Sequence, residues 1–423
     1  MAKSKKRART TAALSFTLSA ANRTRVTILV ATLGYFIDLF DLILFVLVRV
    51  QSLTDLQVPH DQMLRTGALL LNMQMAGLIL GGLFWGVLGD RRGRLSVLLG
   101  SILVYSFANL ANAFVTSIEA YAVLRFVAGV GLAGEMGAGV TIVSELMPRK
   151  LRGYGSTIIV VVGVFGAVAA AWVADVMTWR HAYIFGGVIG LCLLVLRLGV
   201  RESAMFHKVR DLGVSRGRLV EFLRRPRLLG RVFVISLIGI PIWFVIGILV
   251  TFTPEFAPAL GLGGTPPKVT TAIIYLYVGL SVGGTAVGLL SQWLQSRRRA
   301  VLATLTAACA YLALYPRIAG SSPAAYYWTC FGFGCTVGHW AMFVQIAAEQ
   351  FGTNYRATVA TSVPNLVRGS TIPMTLGFQA LMPALGVVGA GLAVGFSAFA
   401  LAIVAVFSLP ETFHRELDYE EAF

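Results

Sequence analysis

Twelve hydrophobic runs divide the chain, near 26–49, 67–89, 95–115, 119–146, 155–177 and 182–199, then near 231–255, 269–294, 299–316, 324–350, 357–382 and 386–409. At about 1.5 Å of rise per residue, each is long enough to cross a hydrocarbon core of roughly 30 Å as a helix. They fall as six plus six around one long polar segment, 200–230, which carries Arg201, Lys208, Arg210, Arg216, Arg218, Arg224, Arg225 and Arg227. The pattern predicts an all-α integral membrane protein with twelve transmembrane helices in two pseudo-symmetric six-helix bundles. The expected divisions are a basic amino-terminal tail (1–25), a first bundle (26–199), a linker (200–230), a second bundle (231–409) and a carboxy-terminal tail (410–423).

An internal repeat supports the two halves. Gly86-Val-Leu-Gly-Asp90-Arg-Arg-Gly93-Arg94 joins the second and third runs, and Gly288-Leu-Leu-Ser-Gln292-Trp-Leu-Gln-Ser-Arg297-Arg298 stands at the matching place in the second half. Glu145 and Arg152 follow the fourth run with the same spacing as Glu349 and Arg356 after the tenth. Two features repeating at nearly one offset are the mark of a duplicated carrier.

Composition agrees with a membrane protein. Of 423 residues, 57% are hydrophobic and 13% charged, against about 25% charged in a soluble domain, and the mean hydropathy is +0.77. The net charge of +16 does not indicate nucleic acid, because the basic residues lie between the hydrophobic runs rather than in one patch. Lys and Arg are retained on the cytoplasmic side. With both termini inside, the inner loops hold Arg91, Arg92, Arg94, Arg149, Lys150, Arg152, the linker cluster, Arg297 to Arg299 and Arg356. The outer loops then hold only a few, such as Arg49, Arg65, Arg180, Lys268 and Arg317. The polar, basic start reads as a cytoplasmic tail and not a signal peptide. Cys192, Cys309, Cys330 and Cys335 lie in apolar runs without metal-ligand spacing, so they read as buried thiols, and neither a metal nor another cofactor is expected.

Asp38 and Asp41 sit in the middle of the first run. A charge at the bilayer centre costs from about 2.5 to over about 10 kcal/mol, so such groups face a bundle interior or a wet cavity. Three residues apart, they share a helix face, which makes them a candidate proton or cation site. Glu135, in the fourth run, falls at similar depth, about 15–20 Å from the cytoplasmic end. Close carboxylates do not easily both ionise, so Glu135 and Asp38 can share a proton. Arg125 lies nearer the outer end of the same run, where it either meets Asp41 or snorkels outward. In the eleventh run Arg368 follows Pro364 and Asn365 with no acid nearby in sequence. Its planar, permanent charge suits a carboxylate, and Glu349 or Asp38 are the alternative partners. Trp243, Tyr275, His339, Trp340, Gln345, Asn365 and Gln379 are further candidates for a substrate cavity, with packing or interface roles as the alternative for each.

Several motifs resemble those of a known family. Gly86, Asp90, Arg91, Gly93 and Arg94 match the loop between the second and third helices that marks the major facilitator superfamily. Gly34-Tyr-Phe-Ile-Asp38-Leu-Phe-Asp41 resembles the first-helix opening of its metabolite:proton symporters. Arg125-Phe-Val-Ala-Gly129-Val-Gly131-Leu-Ala-Gly134-Glu135 is similar to their fourth helix. Glu145-Leu-Met-Pro148-Arg-Lys-Leu-Arg152-Gly153, Arg201-Glu202-Ser203 and Leu409-Pro410-Glu411-Thr412 resemble elements shared by sugar porters and organic-ion carriers. The resemblance implies alternating access. It further implies that Arg125 pairs with a first-helix acid, and that Asp90, Arg91, Arg94, Glu145, Arg152, Glu349 and Arg356 form latches at the cytoplasmic end. The seventh run lacks the paired glutamines of sugar porters, and the fifth lacks the Gly-Pro signature of proton antiporters.

These readings converge on a secondary active carrier, acting as a monomer in a bacterial inner membrane, that imports a small polar metabolite, first an organic acid, with protons. The alternatives are a sugar, polyol or zwitterionic osmolyte importer, or a membrane sensor without transport. No nucleophile, base and orienter are grouped, so an enzyme is not expected.

Overall fold

The structure, a computed structural model, describes residues 20–92, 94–135, 152–198, 225–264, 266–352 and 356–413. Among them every regular element is helical. The first half comprises α1 (Ala20–Asp55), α2 (Met63–Arg92), α3 (Arg94–Asn112), α4 (Ile118–Leu132), α5 (Arg152–Val176) and α6 (Trp179–Arg197). In the second half α7 (Pro226–Phe244) runs through a π-helical turn, Val245–Val250, into the short α8 (Thr253–Ala259). There follow α9 (Val269–Leu294), α10 (Arg297–Ala319), α11 (Pro323–Thr336), α12 (Trp340–Glu349), α13 (Arg356–Gly369) and α14 (Thr371–Ser408). Six helical stretches among the described residues are long and apolar enough to cross a membrane by length and composition.

Polar caps start several of these helices where the hydrophobic runs begin. The hydroxyls of Ser117, Ser296 and Ser322 accept from the backbone N–H three residues on, at 3.1–3.2 Å, which satisfies a donor that the first turn leaves open. Two of the predicted spans are interrupted, the tenth between α11 and α12 around Val337–His339 and the eleventh at Ser370 between α13 and α14. Within α14 a non-helical residue, Gly386 at φ 66°, turns the chain between the eleventh and twelfth spans.

The duplication seen in the sequence reappears in packing. Gly77 and Gly81 of α2 lie against the backbone carbonyls of Phe126 and Val130 on α4, so closely that a Cβ would collide. Gly279 and Gly283 of α9 lie in the same way against Phe331 and Cys335 carbonyls on α11. Small residues that bring helix backbones together are a usual means of association in lipid, where burial of apolar side chains gives no net drive. The halves meet where α2 packs on α13 and α5 on α9. Large apolar side chains such as Trp172, Trp293 and Phe114 remain exposed on the periphery, as a lipid-facing surface requires. Cys330 is buried as expected, but Cys192 is exposed, because an apolar run in a membrane helix presents one side outward.

Candidate functional site

Asp38 and Arg368 meet at the centre of the molecule. The Arg368 guanidinium donates through Nη2 to Asp38 Oδ2 at 2.9 Å, joining α1 to α13 across the two halves, and both side chains are almost wholly buried. Arg368 is therefore not an uncompensated cation, as its sequence neighbourhood suggests; its partner lies 330 residues away. Asn365, one turn earlier, crosses the same interface by donating to the Ala133 carbonyl at 3.0 Å. Tyr35 and Tyr277 stand in the electrostatic surroundings of this pair.

Glu135 stands in the electrostatic reach of Asp38, but its hydrogen bonds go elsewhere. It is clasped by Arg197, from the end of α6, through two hydrogen bonds of 2.8 and 2.6 Å, and accepts a third from the Ser101 hydroxyl at 2.7 Å. A bidentate guanidinium is the strongest partner a buried carboxylate finds in a protein. Gly34 permits this arrangement: a Cβ there would collide with Arg197 Nη2 and stand 3.0 Å from Glu135 Oε2. Arg197 was not among the sequence candidates. Its place in Leu191-Cys-Leu-Leu-Val-Leu-Arg197-Leu, a cation with apolar residues on either side, was the available signal.

Asp41 is buried, and its carboxylate faces the Asn109 amide without a hydrogen bond of ordinary geometry among the described residues. Arg125 lies within its electrostatic reach without forming an ion pair. Arg125 instead donates to Asn109 Oδ1 at 2.8 Å and stacks over the Tyr183 ring at 4.7 Å. Snorkelling is excluded by its burial at 0% exposure. Three acids and three arginines thus occupy one core, and ionised together they sum to zero.

A second cross-half pair closes one end. Arg49, expected in an outer loop, is fully buried at the end of α1 and donates to both Glu255 oxygens at 2.8 and 2.7 Å, and to the Thr251 carbonyl at 3.2 Å. It also stacks on Phe252 at 4.8 Å, and Gly67 leaves the space its side chain fills. Midway along the interface Thr375 of α14 donates to Asn72 of α2 at 2.7 Å.

At the opposite end Glu349 pairs with Arg297 at 3.1 and 3.2 Å, an acceptor–donor pair that joins α12 to α10. Glu411 caps the same helix start: it accepts from the Ser296 hydroxyl and from the backbone N–H groups of Arg297 and Arg298 at 3.0 and 3.2 Å. Partial burial opposes its charge, but the hydrogen bonds of Ser296, Phe413, Arg297 and Thr412 outweigh this and hold the carboxyl below the usual range. Arg91 is exposed. Asp90, Arg94, Glu145, Arg152 and Arg356 lie, entirely or for their side chains, outside the described residues.

The remaining candidates scatter. Trp243 is buried, and His339 donates from Nε2 to the Ile238 carbonyl at 3.2 Å in the break between α11 and α12. Tyr275 turns away from the centre and packs on Tyr327 and Trp328; Tyr277, two residues on and thus on the other side of α9, faces inward. Gln379 donates to Thr375 of its own helix at 3.2 Å, and Gln345 is exposed.

The helical fold has counterparts among known proteins. The model of the Major Facilitator Superfamily matches residues 28–372. The chain belongs to that superfamily. Over 94% of its length this superfamily member superposes on all of the xylose transporter XylE from E. coli, with a TM-score of 0.70 at 15% identity, which shows the shared fold. It is 29% identical to the 4-hydroxybenzoate transporter PcaK of Pseudomonas putida over 236 residues, 54% of this chain and 50% of that protein. It is 31% identical to the niacin transporter NiaP of Acinetobacter baylyi over 156 residues, 36% of this chain and 34% of that one. The matched stretches span half or less of these two relatives. Membership, with the long apolar helices, makes the protein a multi-pass membrane protein.

Proposed function

We propose that this carrier takes up a small organic anion together with protons. The observation that carries the reading is the Asp38–Arg368 pair, buried between the halves at 2.9 Å. While Asp38 is ionised it occupies the guanidinium that would otherwise bind a substrate carboxylate. A proton on Asp38 removes that competitor and leaves the core one positive charge in excess, which a monovalent anion restores to zero. Proton and anion are then bound together or not at all, since an unpaired charge in this setting is costly. Deprotonation toward the cell interior lets Asp38 reclaim Arg368 and expel the substrate. The named cargo of the relatives PcaK and NiaP, 4-hydroxybenzoate and niacin, is consistent with an acid.

The orientation follows from the basic residues. With both termini in the cytoplasm of a bacterial cell, the Arg49–Glu255 pair closes the outer side and the Arg297–Glu349–Glu411 group belongs to the inner one. Access alternates as the halves rock about the central pair. A second reading keeps Arg368 purely structural and the substrate neutral or zwitterionic; it is favoured by the tightness of the existing pair.

Liposomes loaded at alkaline pH and diluted into acid buffer with labelled 4-hydroxybenzoate test the proposal. Accumulation by the wild type is expected, with exchange but no accumulation in Asp38→Asn. If Arg368→Ala still accumulates carboxylates, or if only sugars and betaines are taken up, the anion reading is wrong.

A further inference from the structure

We propose that the third helix carries a water-bridged proton path between Asp41 and Glu135, lying wholly inside the first half and apart from the substrate site between the halves. It rests on the proton coupling argued above and adds the route. Ser101, Tyr105 and Asn109 stand four residues apart on α3 and so share one face, over about 12 Å from first to last. At one end Ser101 donates to Glu135 at 2.7 Å, beside Arg197. At the other Asn109 accepts from Arg125 at 2.8 Å. Tyr105 lies between, within the electrostatic reach of both Glu135 and Asp41.

This stretch gathers buried polar atoms without partners. Among the described residues no hydrogen bond of ordinary geometry reaches either Asp41 oxygen, the hydroxyls of Tyr105 and Ser106, the Asn109 amide nitrogen, or Nε and Nη1 of Arg125, although each side chain is at most 1% exposed. Leaving one such group unsatisfied costs about 1–3 kcal/mol, and internal water, making about three hydrogen bonds, is the usual remedy.

Helix α6 gives the spacing. A Cβ on Gly186 would stand 2.7 Å from Asp41 Oδ1, and one on Gly190 would stand 3.3 Å from the Tyr105 hydroxyl and collide with that of Ser106. These glycines are one turn apart, roughly 5–6 Å. The carboxylate and the hydroxyls thus lie one turn apart along the glycine face of α6, a spacing that the proposed path fills with bridging water. Each hydroxyl can accept a proton on one side and release another on the other, so charge passes without a side chain leaving its helix. The charged groups facing the stripe are Asp38 and Asp41 from α1, Arg125 from α4, Glu135 just beyond its end, and Arg197 from α6. Arg368 reaches this region only through Asp38.

Two measurements on the reconstituted full chain decide it. Under X-ray hydroxyl-radical labelling, Tyr105 is expected to oxidise severalfold faster than Tyr183, which is equally buried but bonded to Tyr121 at 2.7 Å. In the flux assay, Tyr105→Phe is expected to slow accumulation of 4-hydroxybenzoate driven by a pH gradient about tenfold or more, while counterflow exchange of the same probe is unchanged. Equal labelling of the two tyrosines, or unaltered accumulation in Tyr105→Phe, overturns the path; so does a parallel loss of counterflow, which marks a packing role. Absence of gradient-driven uptake in the wild type overturns the coupling reading instead, and labelling then decides the hydrated stripe alone.

Discussion

Arg197 shows what a buried ion pair requires. Two hydrogen bonds to Glu135, with Ser101 taking a further lone pair, leave little of the carboxylate unsolvated. Removing one partner strands the other. Arg197→Ala is expected to lower stability by about 3–5 kcal/mol, read as a fall in melting temperature in detergent, with a smaller loss when Glu135→Gln is combined with it. Glu411 gives a contrasting case at the membrane edge. Its folded-state carboxyl titrates below its ordinary value of 4.5, so its contribution is complete above that pH and is lost as pH falls further. The stability advantage of the wild type over Glu411→Gln should be constant from neutral pH down to about 5 and shrink below it; a difference that does not depend on pH excludes the charge as its origin. Each of Asp38, Asp41, Glu135, Arg125 and Arg368 was legible as a charge in an apolar run. The Asp38–Arg368 pair was among the alternatives the sequence left open, but the Glu135–Arg197 pair was not legible, because contacts between distant helices depend on how they dock.

The helices themselves follow from the hydrophobic runs, since in lipid an unpaired backbone has no water to turn to. What the runs cannot show is where a helix bends. The π-helical turn at Val245–Val250 has no proline of its own; Pro241 and Pro254 stand four residues away on either side. That turn sets the direction in which Thr251 and Glu255 approach Arg49. The face of α9 was likewise misjudged, because a uniformly apolar helix gives Tyr275 and Tyr277 no contrast by which to orient them. The turn at Gly386 is testable. With φ at 66° and ψ at 176°, a region open essentially to glycine alone, and open space around the position, the cost of a side chain is conformational, and Gly386→Ala should destabilise the protein by about 1–3 kcal/mol, measured by thermal denaturation.

At the scale of the whole molecule, the closed end depends on Arg49 and Glu255. Because Arg49 is fully buried there, Glu255→Ala leaves it unpaired, and separating the halves at that end lets water reach it. Spin labels at the exposed positions 60 and 264 are expected to report a shift to longer distances in Glu255→Ala; an unchanged distribution would show that packing alone holds this end shut. The division into halves was visible in the repeated motifs, and the glycine seams of α2 and α9 confirm the same offset of about 200 residues in three dimensions.

Both cross-half ion pairs hang from one helix. Asp38 and Arg49 are eleven residues apart, about 16 Å along α1, and carry opposite signs, while the second half presents Arg368 and Glu255 in the complementary order. A shift of α1 by a single turn would set neither pair in register, and a larger one would bring like charges together. The two halves are keyed by polarity, in the manner of a plug, so that they are free to tilt against each other but not to slide.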